Sequence, residues 1–305
     1  MISYIARRVL WIIPVLFVVS LLTFGLMHAA PGGPWDREKR LPQSQLDALN
    51  AKYGLDKPIY EQYANWAGKL LVLDLGPSYK YRDRSVNEIV ADGIWNTVQL
   101  GLMAFTLAVV VGIPLGVIAA LGHNKLPDYL STSISIVGIA TPTFVLAIML
   151  VLMFSLFLGW FPTGGWKGPQ YWVLPTIALA GFSIAQIARY TRASMLEVTR
   201  KDYIRTAHSK GIGGQAVIRR HMIRNALIPV VTILGPILAF MVTGSFIIES
   251  FFSVPGIGRY YVTAISQRDY GVIMAMTILY AAVVAILNLV VDILYAYIDP
   301  RIRLS

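Results

Sequence analysis

Nine cations crowd one stretch of this sequence. Arg189, Arg192, Arg200, Lys201, Arg205, Lys210, Arg219, Arg220 and Arg224 have only Glu197 and Asp202 as counter-charges among them. Such a stretch offers either recognition of a partner or an orientation signal, because side chains able to make and break bonds are missing. His28, His123, His208 and His221 pair with no Ser, Asp or Glu in an enzyme signature, and His208-Ser209 reads as surface. The chain has no His-Glu-x-x-His motif, no carboxylate cluster for a metal and no Cys for thiolate ligation or a disulfide. Gly211-Ile212-Gly213-Gly214 lacks the Lys-Ser/Thr that would complete a phosphate-binding loop. Catalysis is not expected of this chain.

The elements around that stretch belong to a membrane. Only 14% of the 305 residues are charged, where about 25% is usual for a soluble domain. A helix crosses the hydrocarbon core with about 20 apolar residues. Stretches free of Asp, Glu, Lys and Arg run from Val9 to Ala30, Gly93 up to Lys125, Tyr129 to Trp166, Gly168 to Ala188, Asn225 to Ile248 and Tyr270 to Val291. The third is too long for one span. It reads as a helix of about 25 residues and a turn at Gly159-Trp160-Phe161-Pro162. Six spans put both termini on one side. The first, preceded by Arg7 and Arg8, exceeds a typical signal-peptide core and is expected to stay.

Charge sets the orientation. Both termini are basic, with Arg7 and Arg8 at one end and Arg301 and Arg303 at the other. The segment between spans four and five is basic too. The segment from Pro31 to Asp92 balances nine basic against nine acidic residues, and cytoplasmic loops are the ones enriched in Lys and Arg. The termini and the basic loop are therefore expected in the cytoplasm. The net charge of +10 is accounted for without nucleic acid.

Within the loop, Tyr203, Ile204 and Ala207 give a helix-spaced apolar edge, and Gly211, Gly213 and Gly214 interrupt it. Val217, Ile218, Met222 and Ile223 follow, with Arg220 and Arg224 four residues apart. The pattern predicts helix, glycine turn and helix with a basic outer face.

Asp202-Tyr203-Ile204-Arg205-Thr206-Ala207-His208-Ser209-Lys210-Gly211 resembles the Glu-Ala-Ala-x-x-x-Gly coupling loop of ABC importer permeases. It is similar to the version in the peptide and nickel permease family, where Arg-Thr-Ala replaces Glu-Ala-Ala; Arg205, Thr206, Ala207 and Gly211 match position by position. The ending Arg224-Asn225-Ala226-Leu227-Ile228-Pro229 departs from the general pattern and resembles the first of the two permease types in peptide importers. Tyr4-Ile5-Ala6-Arg7-Arg8, Tyr53-Gly54-Leu55-Asp56-Lys57-Pro58, Thr141-Pro142-Thr143-Phe144, Glu249-Ser250-Phe251-Phe252, Pro255-Gly256-Ile257-Gly258 and Arg268-Asp269-Tyr270 extend the likeness along nearly the whole chain.

The resemblance implies an all-α membrane protein with a type I importer permease core in a bacterial or archaeal cytoplasmic (inner) membrane. It implies that Asp202, Tyr203, Arg205, Thr206, Ala207, Lys210, Gly211, Ile212, Arg219 and Arg220 seat in a groove of a cytoplasmic ATPase subunit. ATP and Mg would be bound by that subunit and not by this chain. The further partners implied are a second, homologous permease chain and an extracytoplasmic solute-binding protein. The cargo would be short peptides, with nickel chelates, glutathione or oligosaccharides as alternatives. A stand-alone secondary transporter would need ion-coupling carboxylates in mid-span, and the sequence has none there.

Polar groups at membrane depth are costly and often functional. Asn96 and Gln99 open the second span, Asn288 and Asp292 lie toward the inner end of the sixth, and Glu249 follows the fifth. Pro142, Phe144, Glu249, Asn288 and Asp292 are candidates for the pathway or its gates, with structural roles open for each. Gly112-Ile113-Pro114-Leu115-Gly116 and Thr141-Pro142-Thr143-Phe144 suit either a pathway interruption or close packing and a kink. In the outer segment, Leu46, Leu49 and Tyr53, then Ile59, Tyr63, Trp66 and Leu70, suggest amphipathic helices on the membrane surface, either anchoring there or docking a binding protein. The expected organisation is 1–30 N-terminus and first span, 31–92 extracytoplasmic segment, 93–298 permease core with the coupling loop at 195–225, and 299–305 tail.

Overall fold

The computed structural model describes residues 2–35, 42–81 and 84–298, which leaves the 299–305 tail with Arg301 and Arg303 outside the described residues. Among the described residues, five helical segments are long and apolar enough to cross a membrane: Ile5–Ala29, Val86–Leu121, Pro169–Thr199, Gly214–Phe251 and Tyr270–Val291. The third apolar run does not form the single long helix expected of it. It folds as two pieces, Leu126–Ala140 and Thr143–Phe157, bent by 108°. Proline is the cause. Pro142 has no N–H to continue the ladder, and the residue before a proline is pushed out of the helical region. Thr141 accordingly sits at φ −84°, ψ 119°. Counted as one span, the bent pair makes six.

Two compact units divide the chain. The first holds residues 1–97 and 255–286. It contains α1 (Ile2–Ala29), α2 (Gln43–Tyr53), α3 (Ile59–Leu71), the start of α4 (Val86–Leu121), α12 (Ile257–Gln267) and most of α13 (Tyr270–Ile298). Its core joins Val86 and Ile89 of α4, Ile257 and Ala264 of α12, and Val272, Ala275 and Met276 of α13. Asn96 is a brace here: its amide donates to the Pro255 carbonyl at 2.9 Å, while the next residue, Thr97, accepts from the Ile257 N–H at 2.9 Å. Tyr63 and Trp66 pack against Phe24 and Met27 of α1, and the Tyr63 hydroxyl lies 2.7 Å from that of Ser20. These two half-buried aromatics thus join the segment to α1.

Asp269 anchors the loop at residues 78–80. Fully buried, it accepts from the Ser78 hydroxyl, from the N–H groups of Tyr79 at 3.0 Å and Lys80 at 3.2 Å, and from Val272 in the first turn of α13 at 3.3 Å. Burial, followed by the Asp269 charge, pushes the Tyr79 hydroxyl up to about 12; its ring stacks on Trp35 and lies tilted against Tyr53.

The second unit holds residues 98–254 and 287–305. It contains the rest of α4, α5 (Leu126–Ala140), α6 (Thr143–Leu150) with its π-helical continuation Val151–Phe157, α7 (Pro169–Thr199), α8 (Asp202–Ser209), α9 (Gly214–Val217), a π-helical stretch Ile218–Ile223, α10 (Arg224–Val242) and α11 (Phe246–Phe251). α7 outruns the expected fourth span, continuing past Ala188 through Arg189, Arg192 and Glu197. Charge ends the apolar run without ending the helix, since neither Gly nor Pro intervenes. The fifth span breaks before Ile248, at Gly244, whose φ of +85° suits glycine alone at low cost.

Small residues let these helices touch. A Cβ at Gly101 would stand 2.3 Å from the Met241 carbonyl oxygen of α10. A Cβ at Gly112 would meet Ile184 and Ile187 of α7 at 2.9 Å, and one at Gly116 would lie 2.5 Å from the Ala188 carbonyl. The Gly112–Gly116 element is therefore a packing face, the small-residue spacing by which helices approach closely in a bilayer. Gly116→Ala is expected to cost about 1–3 kcal/mol, the usual penalty for overpacking. A thermal unfolding midpoint in detergent equal to that of the wild type would contradict this contact.

Candidate coupling elbow and interhelical cavity

The cationic loop folds as α8, a tight turn, and α9 running through the π-helical stretch into α10. α8 buries Ile204 and Ala207 and exposes Asp202, Arg205 and Thr206. Asp202 stands in its first turn, where a negative charge suits the helix dipole. Tyr203 departs from the apolar edge expected of it. It is 43% exposed, because its position one residue before Ile204 turns it about 100° away on a helix of 3.6 residues per turn.

Gly211 closes α8. Its N–H donates to the His208 carbonyl at 2.9 Å and that of Ile212 to the Ala207 carbonyl at 3.2 Å, the paired bonds of a Schellman cap. The cap requires the left-handed φ of +74° found at Gly211. Half-buried Ile212 returns to the cluster that holds Ala207, while Lys210 stays exposed.

That cluster is what ties the elbow to the spans. Ile204, Ala207 and Val217 pack with Ala120 of α4, with Met195 and Val198 of α7, with Met222 of the π-helical stretch, and with Ala226 at the start of α10. The Ser194 hydroxyl adds a bond to the Ala226 carbonyl at 2.8 Å. On the outside, Arg205, Lys210, Arg219, Arg220 and Arg224 are exposed. Lys201 pairs with Glu197 at 3.0 Å on the surface, which stabilises little but holds the ammonium in its charged form.

Arg192 does not belong to that outer face. Its guanidinium grips Asp128 of α5 at both oxygens, at 2.5 and 2.8 Å. Asp128, buried, also accepts from the Asn124 N–H at 2.9 Å and from Thr132 at 3.3 Å, and the His123 ring lies 3.2 Å away. The sequence carried a signal for this pair in Asp128, the acidic residue that opens the third apolar run.

The pathway candidates do not gather. Pro142 precedes α6 and is exposed, as is Phe144. Glu249 is fully buried on α11. Asn288 is exposed on α13, and the side chain of Asp292 lies outside the described residues. A cavity of about 580 Å³ opens within the second unit, lined by residues of α6, α7 and α10 and by Ser245. Thr143 lines it, between Pro142 and Phe144, but Ser183 and Gln186 of α7 and Thr232 of α10 supply most of its polar groups. Two polar residues three apart on one helix face were the available clue.

Comparison with known proteins covers both units. Residues 112–304 match the family described as "Binding-protein-dependent transport system inner membrane component", and residues 1–101 match the N-terminal membrane component of binding-protein-dependent transport systems. The oligopeptide transport system permease protein OppB of Haemophilus influenzae is 42% identical over 305 residues, covering 99% of this chain and 100% of that protein. The dipeptide transport system permease protein DppB of Bacillus subtilis is 42% identical over 304 residues, covering 100% and 99%. Among solved structures, the inward-facing MetNI methionine ABC transporter aligns with a TM-score of 0.59 at 16% identity, covering 69% of this chain and 96% of that one. An amino acid ABC transporter solved with histidines aligns at 0.56 and 17%, covering 76% and 98%. These two share the fold.

Proposed function

The chain belongs to the binding-protein-dependent transport system inner membrane components, and from that membership we propose that it forms half of the pore of an ATP-driven importer of short peptides. The relatives named for oligopeptide and dipeptide transport support that cargo, at 42% identity end to end. A second, homologous permease completes the pore. ATPase subunits in the cytoplasm bind ATP and Mg, and an extracytoplasmic binding protein delivers the peptide. Both termini and the elbow face the cytoplasm, in keeping with the concentration of Lys and Arg there.

One observation carries the mechanism: the elbow exposes its cations while its inner side is packed on α4, α7 and α10. Interiors pack too tightly to absorb a displacement at one point. A push by the ATPase on α8 therefore passes to three spanning helices together, and alternating access follows from closure of the ATPase pair. Asp202, Tyr203, Arg205, Thr206, Lys210, Arg219 and Arg220 are the contact side chains in this reading. Ala207, Gly211 and Ile212 hold the elbow's shape.

The test is charge reversal at exposed positions. In the double variant Arg219→Glu, Arg220→Glu, ATPase co-purification is expected to fall at least about tenfold, as when complementary potentials become repulsive. Thermal unfolding of the isolated permease should not move, since neither side chain is buried. Full recovery of the ATPase subunits with this variant would place the contact elsewhere.

A further inference from the structure

The cavity among α6, α7 and α10 has a lining suited to one kind of cargo. Its residues include Ser183 and Gln186 near the centre of the 31-residue α7, Thr143 at the start of α6, and Phe182, Phe240 and Pro236 as apolar walls. No lining residue carries a charge. Ser183 and Gln186 lie three apart, on one helix face. Neither side chain hydrogen-bonds another described residue. An amide without a partner within a spanning segment is costly against lipid, so such groups face a bundle interior or a water-filled space. Here the space is about 580 Å³, far more than a single water requires.

We propose that this cavity is the share of the translocation passage that this chain contributes, where Ser183 and Gln186, toward the inner end of the fourth span, exchange hydrogen bonds with the backbone amides of a peptide in transit. The inference rests on the functional reading above and adds the site and its chemistry. A peptide backbone presents a donor and an acceptor at every residue, and a glutamine amide and a serine hydroxyl each supply both. Walls without charge hold neither terminus nor any ionised side chain, so peptides of different sequence pass on equal terms. Phe182, Phe240 and Pro236 give side chains an apolar surface with no hydrogen bond to break.

Gln186→Arg tests this in the whole transporter, with all its subunits, reconstituted in vesicles. The guanidinium stays charged at any working pH. Import is measured for trialanine and for tripeptides bearing one Lys or one Glu at the centre. Relative to the Glu peptide, the Lys peptide should slow about tenfold or more, as expected of like charges at close range in a poorly screened site. Gln186→Leu, which removes the amide alone, should slow all three peptides by a similar factor. Recovery of the second permease chain reports assembly of each variant. An assembled Gln186→Arg complex that treats the three peptides as the wild type does would overturn the proposal. Loss of the second permease from both variants would overturn it as well, by making the cavity a joint between permeases. A wild-type complex that imports none of the peptides would instead sink the functional reading on which it stands.

Discussion

Gly213→Trp is expected to abolish peptide import by the assembled transporter while the spanning helices keep their stability. Gly213 sits at φ −58°, ψ 141°, ahead of α9, a conformation open to any residue. A Cβ there meets nothing within 4 Å, and the position is exposed. The indole therefore projects from the elbow at the site assigned to the ATPase. Helix starts tolerate loss of a glycine at a cost of a few tenths of a kcal/mol to about 1 kcal/mol, too little to unfold the spans. An interface built on close approach loses far more when a bulky group stands in it, so uptake into vesicles should fall by about a hundredfold or more, in line with hot-spot energies. Gly211 is the less informative target, because any substitution there also strains the left-handed backbone of the cap by about 1–2 kcal/mol. Wild-type uptake by the Gly213→Trp transporter would mean that the ATPase docks on another face.

The second large effect is expected at Arg192→Ala. Removing one member of a buried ion pair costs about 3–5 kcal/mol, because the remaining charge is left without its partner. Asp128 is that remaining charge, with 4% of its side chain exposed. The N–H of Asn124, the Thr132 hydroxyl and the His123 ring would still touch it, which places the loss toward the lower end of that range. Arg192→Lys should recover part of it, since lysine returns the charge but not the two-pronged fork that meets both oxygens. Differential scanning of the purified permease in detergent measures both. An Arg192→Ala midpoint equal to that of the wild type would mean that this clamp does not hold α5 to α7.

The membrane character, the spans' approximate places and the helix–glycine–helix loop were all legible in the sequence, since each depends on local composition or on a period of a few residues. Family motifs added the partners and cargo class expected for the loop. Other features escaped that reading for identifiable reasons. The bend at Thr141-Pro142 was visible as a proline, but its angle depends on what α5 and α6 pack against. Tyr203 was assigned to the apolar edge by its type, and its facing follows instead from the register that Ile204 and Ala207 impose.

Arg192 shows the sharper limit. In sequence it is one cation among nine, and only the approach of α5 to α7 separates it from Arg219 and Arg220, which remain exposed. The same holds for Gln186, indistinguishable by spacing from a lipid-facing error until α6 and α10 leave a cavity beside it. Hydrophobic length and charge bias act on a segment wherever it lies, so the sequence alone determined that this chain crosses a membrane and carries a basic elbow. Which charge is buried, which glycine is a contact and which amide faces open space depend on neighbours distant in the chain. Those were decided by the packing of one helix on another.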